Sequence, residues 1–154
     1  MAPAEPTDEA APLRLSARDV PTLARIAALW PVAAVSKRSL PLPDLARRFD
    51  AAPSSGRAGW GGAPPWRLAR LIDGVLRRAY ASRPGYCVER SLLLFHLLRR
   101  GGRPARLCFG VAPEEGRLAG HAWVELDGAP VAEPTDPRER YRTTYAYPTV
   151  EPEP

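Results

Sequence analysis

The fourteen residues CVERSLLLFHLLRR, from Cys87 to Arg100, are apolar on nearly every side. A surface helix carries one apolar stripe, whereas a helix that is apolar all round has to be enclosed. The segment therefore predicts a central helix with other elements packed around it. Gly101-Gly102 ends it, and Arg99 and Arg100 stand in its last turn, where the helix dipole favours cations. The hydrophobic period then changes. In ARLCFGV, Ala105, Leu107, Phe109 and Val111 alternate with Arg106, Cys108 and Gly110, which is the pattern of a strand.

The rest of the chain sorts itself around this helix. HAWVEL predicts a second strand, with His121, Trp123 and Glu125 on one face and Ala122, Val124 and Leu126 on the other. PEEGRLAG, between the two strands, reads as a loop. Asp127-Gly128 is a hairpin signal leading into a third strand around 130–133. The C-terminal stretch beyond it, including RYRTTYAYP, reads as mostly irregular with room for one more strand. Upstream, residues 17–30 have helical spacing in Leu23, Ile26, Leu29 and Trp30, with Ser16 as N-cap and Pro21 near the start. A short second helix is expected from Leu42 to Phe49. Residues 66–82 place Leu68, Leu71, Ile72, Val75, Leu76 and Ala79 on one side and Arg67, Arg70, Arg77 and Arg78 on the other, and Pro84-Gly85 breaks the pattern. Helices first and an antiparallel meander after them define an α+β fold.

At 154 residues the chain has the size of one domain. Its 19 Pro and 12 Gly gather at the ends and in connectors. Residues 1–12 read as a disordered tail, 13–50 as a helical region, 51–65 as a Gly/Pro-rich linker with Trp60 as an anchor, and 149–154 as a second tail. The first twelve residues carry three acids, no base and no apolar stretch after them, unlike a secretion signal. No apolar run approaches the ~18 residues of a membrane helix. Two cysteines suit a reducing compartment, so the expected location is the cytoplasm. The net charge is +5, and both tails are acidic, so the body between them is more basic still. Such a body suits an anionic partner such as an acidic peptide, although all but one of the 22 bases are Arg, as a coding bias would also produce.

Cys87 follows a Pro-Gly-Tyr break at the first turn of the central helix, where unpaired N–H groups lower a thiol's pKa. A thiolate is a nucleophile for acyl transfer. His121, on the strand that packs against that helix, can take the thiol proton and later give it to a leaving amine. The third member should be a carboxylate that orients the imidazole, and Glu133 is the first candidate. Hairpin register decides whether it can serve. A two-residue turn pairs Ala129 with Leu126 and turns Glu133 away from His121. A three-residue turn with a bulge puts Glu133 on the His121 face, and the proposal needs that register. Glu125, on the same face as His121, and Asp136, in the loop after the hairpin, are the alternatives. Cys108 and His96 read as structural. The four Cys and His residues have no zinc spacing, no metal is expected, and no Gly-rich phosphate loop precedes a helix, so no cofactor is called for. Nucleic acid has no recognisable motif or stacking platform.

The run from Gly85 to Pro134 resembles the lasso peptide biosynthesis B2 proteins, leader peptidases of a transglutaminase-like, papain-related superfamily. The shared pattern is Cys87, Arg90-Ser91, a Leu-rich helix ending in Arg99-Arg100-Gly101, Ala105-Arg106-Leu107, His121 to Glu125, and Asp127-Gly128. The resemblance covers about residues 84–134 and implies a transglutaminase-like cysteine protease core over 66–148. It makes Cys87 the nucleophile and His121 the base. The superfamily's third residue is usually Asp, often followed by Pro; Glu133-Pro134 stands there. The oxyanion donor is expected to be the backbone N–H of Cys87. The implied role is removal of the leader from a lasso precursor peptide, which frees the core N-terminus for macrolactam closure by a separate ATP-dependent cyclase. A small leader-binding B1 protein, a RiPP recognition element, delivers the substrate. Arg67, Arg70, Arg77 and Arg78 are then a candidate docking face. Two other readings are another acyl-transfer enzyme on the same fold, such as an amidase or transglutaminase, and a peptide-binding module without catalysis.

Overall fold

The computed structural model describes residues 12–53, 63–81, 83 and 85–149. The expected N-terminal tail up to residue 11, the last five residues, and most of the Gly/Pro linker with Trp60 lie outside these residues. Four helices precede a four-stranded antiparallel sheet. The helices are α1 (Val20–Ser39), α2 (Leu42–Phe49), α3 (Pro65–Tyr80) and α4 (Cys87–Arg100). The strands are β1 (Arg106–Glu114), β2 (Arg117–Leu126), β3 (Ala129–Pro130) and β4 (Arg142–Tyr147), in the order β3-β2-β1-β4.

α4 is enclosed, as its composition requires. Ser91 to Phe95, Leu97 and Leu98 are all 1% exposed or less. Around them stand Ile26 and Ala33 of α1, Leu45 and Phe49 of α2, Leu68, Leu71, Ile72 and Leu76 of α3, and Leu107, Phe109, Ala122 and Val124 from one face of the sheet. Each fully buried Leu of this cluster contributes roughly 1.5–3 kcal/mol. α4 is thus held by helices on one side and by the sheet on the other.

α1 is longer than the 17–30 expected. A 3-10 turn at Ala17–Asp19 leads in, with the Ser16 N–H donating to the Asp19 carboxylate at 2.7 Å. The helix then passes through Pro31 and ends at Ser39. Proline in a helix interior forfeits a hydrogen bond, but Ala33 and Ser36 beyond it are buried, and Lys37 reaches the fully buried Glu89 of α4 at 2.5 Å. Tertiary packing carries the helix past its local breaker.

The sheet corrects two expectations. PEEGRLAG is not a loop: β1 and β2 run on to a two-residue turn at Glu115-Gly116, with Glu114 opposite Arg117. Both turn residues have positive φ, 47° and 76°, as the hairpin turn matching strand twist demands. The third strand does not extend over 130–133. Its paired residues are Ala129 and Pro130, one further ladder bond runs from the Val131 N–H to the Val124 carbonyl at 2.8 Å, and the chain leaves β2 at Ala132. The turn at Asp127-Gly128 is the two-residue kind, pairing Leu126 with Ala129 and Glu125 with Pro130. The C-terminal stretch, expected to be mostly irregular with room for one more strand, supplies that strand as β4, which pairs with β1 through a bulge at Phe109/Gly110.

β2 has the two faces its alternation predicts. Ala122 and Val124 point into the core; His121, Trp123 and Glu125 occupy the other side. Trp123 is fully buried there, close over Gly110 of β1. A Cβ at 110 would come within 3.0 Å of the indole and 2.9 Å of the Arg142 carbonyl, so only glycine fits. Among the described residues, no helix is long and apolar enough to cross a membrane.

Candidate active site

Cys87 is the first residue of α4, entered through Gly85 with φ of 101° and Tyr86. It is partly exposed, and its backbone N–H lies ahead of the helix's own ladder. The chain contains neither Asn nor Gln, so no side-chain amide can supply an oxyanion donor, and this N–H is a geometrically suited one.

Because β3 ends at Pro130, the outer edge of β2 at Ala122 is free for α4. Ser91 donates its hydroxyl to the Ala122 carbonyl at 2.8 Å, and the Ala122 N–H faces the Cys87 sulfur. Two residues one turn apart on α4 therefore satisfy both backbone groups of one strand residue. This fixes Cys87 beside His121, the adjacent residue of β2, and the thiol and imidazole share a hydrogen bond. His121 Nε2 lies 3.0 Å from Glu133 Oε2, leaving Nδ1 as the ring nitrogen for the sulfur. The imidazole is flanked by the Trp123 ring, nearly parallel at 6.1 Å, and the Tyr141 ring at 5.1 Å.

Burial pushes the Cys87 thiol up, but the hydrogen bonds with His121 and the Ala122 N–H outweigh it and hold the group below the ordinary thiol range. The bonds to Cys87 and Glu133 lift His121 to about 9. Both shifts run in the direction of a thiolate–imidazolium pair.

Glu133 meets His121 although the hairpin has the register that, by strand alternation alone, turns it away. The reason lies past the ladder. Ala132 has φ of 51°, a left-handed conformation rare for a residue with a Cβ, and it swings the chain back across β2. Arg90 of α4 spans this bend, with Nη2 on the Ala132 carbonyl at 2.8 Å and Nη1 on Glu133 Oε1 at 3.1 Å. Its Nε donates to Asp73 of α3 at 2.8 Å.

Neither alternative acid touches His121. Glu125 is buried under the Trp123 indole N–H, with Arg106 and Arg138 as its charged neighbours. Asp136 caps the 3-10 turn at Pro137–Glu139 and pairs with Arg138. Cys108 lies buried mid-strand, its thiol pushed up to about 12 by burial and then by Glu125. His96, on α4, is held below its ordinary pKa by burial and turns Nδ1 to the Phe49 carbonyl at 3.2 Å. Both cysteines are free, and the described residues hold no cluster suited to a metal ion. A cavity of about 340 Å³ opens over Cys87, His121 and Glu133, with Asp73, Arg77 and Arg90 on its walls. That volume accommodates a short stretch of peptide.

Sequence reasoning had no role for Asp73, Arg90 or Ser91. Arg90-Ser91 was visible as a motif, but its function depends on where Ala122 and Ala132 present their backbones.

A helix-borne cysteine beside a strand-borne histidine, on an α+β core of this order, is the arrangement that cysteine acyl-transfer chemistry uses. The profile of the transglutaminase-like superfamily matches residues 23–146, and the chain belongs to that superfamily, whose members are generally cysteine-based enzymes of protease and acyltransferase type. Searches among curated proteins and among solved structures found no match.

Proposed function

We propose that this protein is a cysteine peptidase that removes the leader from a lasso precursor peptide. The observation behind the chemistry is the hydrogen-bonded chain Cys87–His121–Glu133 on the wall of a peptide-sized cavity. The substrate class rests on the resemblance of residues 84–134 to the B2 leader peptidases.

The thiolate of Cys87 attacks the scissile carbonyl, and the new oxyanion is met by the Cys87 N–H. As the C–N bond breaks, the His121 imidazolium gives its proton to the departing amine, which is the N-terminus of the core peptide. The leader is left as a thioester on Cys87. Neutral His121 then takes a proton from water, the hydroxide attacks the thioester, and the thiol leaves as the thiolate with the proton retained on His121. Glu133 holds the imidazole in orientation throughout and stabilises its charged form.

A small leader-binding B1 protein presents the precursor, and a separate cyclase closes the ring on the freed amine. The reaction takes place in the cytoplasm, where free thiols such as Cys87 persist. The docking face is narrower than four arginines. Arg67 pairs with buried Asp19 at 2.8 Å and with the Arg14 carbonyl, and Arg78 folds onto the Gly74 carbonyl of its own helix. Arg77, exposed at the cavity wall, is the cation placed to meet an acidic leader.

The test is incubation of the protein with precursor and leader-binding partner, then mass spectrometry. Free leader acid and free core amine are the expected products, and both vanish in Cys87→Ala. A new amide in place of the acid would make the protein a transferase. Precursor left intact by the unaltered protein, yet bound by it with an affinity that Cys87→Ala does not change, would make it a binding module.

A further inference from the structure

We infer that Arg90 is the positioning residue that brings Glu133 to His121, and that without it the chain's hairpin register would leave the histidine with no carboxylate. The inference rests on the Cys87–His121–Glu133 reading above and adds a fourth residue to it.

Register creates the difficulty that Arg90 resolves. With Leu126 opposite Ala129, continuation of β3 would turn Glu133 to the wrong side of β2. The chain avoids this by leaving the ladder after Val131, whose N–H still donates to the Val124 carbonyl at 2.8 Å, and taking Ala132 through φ of 51°. An alanine in that region is strained and persists only where its surroundings hold it. Arg90 provides that hold. One guanidinium grips the carbonyl of the strained residue and one oxygen of the neighbouring side chain, and so fixes backbone and carboxylate together. The other oxygen of Glu133 is left for His121. Arg90 is itself aimed: its side chain is only 14% exposed, and Asp73 holds Nε from α3. A planar fork can serve three acceptors in this way, and a lysine ammonium on a flexible stem cannot reproduce the geometry.

Loss of Arg90 would have two opposed electrical consequences. If Glu133 stayed in place, its carboxylate would be less neutralised and His121 would hold its proton more tightly. If Glu133 swung away, His121 would lose the partner that raises it. A positioning role for Arg90 requires the second, so the thiolate of Cys87 should become harder to form.

The experiment is the rate of Cys87 alkylation by iodoacetamide against pH, read by mass spectrometry on the full chain, with Cys108 as internal control. Glu133→Gln moves the inflection toward that of an ordinary thiol. Arg90→Gln is expected to do the same, with about a tenfold loss of rate at neutral pH, the size of coupling found between neighbouring groups. The double variant should match Glu133→Gln alone, because both substitutions break one interaction. Arg90→Lys should recover only part of the loss.

An Arg90→Gln profile that is unchanged, or shifted the opposite way, overturns the inference while Glu133→Gln still shifts. Additive losses in the double variant overturn it too, since they mean that Arg90 acts elsewhere. An unshifted Glu133→Gln profile overturns the underlying reading instead. Should Arg90→Gln unfold the chain, shown by alkylation of Cys108, Asp73→Asn takes its place and is judged in the same way, by a smaller shift in the same direction.

Discussion

Ser91 and Ala122 are joined by a 2.8 Å hydrogen bond from the serine hydroxyl to the strand carbonyl, one helical turn from Cys87. Both residues are 1% exposed. Removing the hydroxyl leaves a buried carbonyl without a partner, at a cost of about 1–3 kcal/mol. Ser91→Ala should therefore lower stability by that amount in urea denaturation. It should also slow Cys87 alkylation at neutral pH, because the same bond sets the helix N-terminus against β2. A stability loss with fully native thiol reactivity would show that the Ser91 bond does not position Cys87.

The reactive thiol should announce itself without substrate. Cys87, held below the ordinary range by His121 and the Ala122 N–H, should alkylate faster at pH 7 than a free thiol, while Cys108 stays inert with its pKa near 12. In His121→Ala, burial is left as the largest influence and the Cys87 thiol should titrate above its ordinary value. The expected rate loss is roughly ten- to a hundredfold at pH 7, since the free thiol is only a few per cent ionised there. Equal rates in the two proteins would separate Cys87 from His121.

Stability against pH carries a less obvious sign. His121 is raised to about 9, so alone it stabilises the fold fully below its unfolded value of ~6.5, and that stability is lost as pH rises through 9. Cys87 is lowered, so alone it stabilises above ~8.5, and that stability is lost as pH falls through its folded value. Between the folded value of Cys87 and the ~8.5 of the unfolded thiol the two oppose each other: the folded chain keeps on the imidazole the proton that the unfolded chain keeps on the thiol. Wild-type stability should be close to flat there. Cys87→Ser removes one half of the exchange, and Glu133 still holds the imidazole up. Its stability should fall by about 1–2 kcal/mol as pH rises across that window. Cys87→Ser/Glu133→Gln should be flat again, and a matching decline in wild type would contradict the pairing.

The arginines of α3 should separate cleanly. Arg67→Glu sets a carboxylate against the buried Asp19 and should lower the thermal midpoint. Arg77→Glu sits in the open at the cavity wall and should leave that midpoint nearly unchanged. It should raise KM for precursor and leave Cys87 alkylation alone. Unchanged KM would remove Arg77 from substrate binding.

The central helix and the strands flanking His121 were legible because burial writes itself into hydrophobic period. Cys87–Arg100 is apolar all round, and β2 alternates between core and site faces. Tertiary overrides were not legible. Nothing local says that α1 survives Pro31; that depends on burial of Ala33 and Ser36 and on Lys37 finding Glu89. The tip of the first hairpin, Glu114 to Leu118, is exposed and polar enough to read as a loop, yet Glu115-Gly116 closes it tightly. At the site, Cys87 and His121 could be named from residue type and place. Apart from the resemblance, Glu133 could be named only through a register the hairpin does not adopt. Its true route depends on a single φ at Ala132 and on Arg90, and neither leaves a trace in spacing.

The two-residue length of β3 has a consequence for how such a chain can change. In a long hairpin, one inserted residue at the turn would flip every side chain beyond it. Here the ladder ends at Val131, so turn and carboxylate are uncoupled by the bend at Ala132. The turn at Asp127-Gly128 is free to satisfy strand twist alone. The acid can be exchanged for a longer or shorter one, provided that the bend after the ladder keeps its anchor on α4.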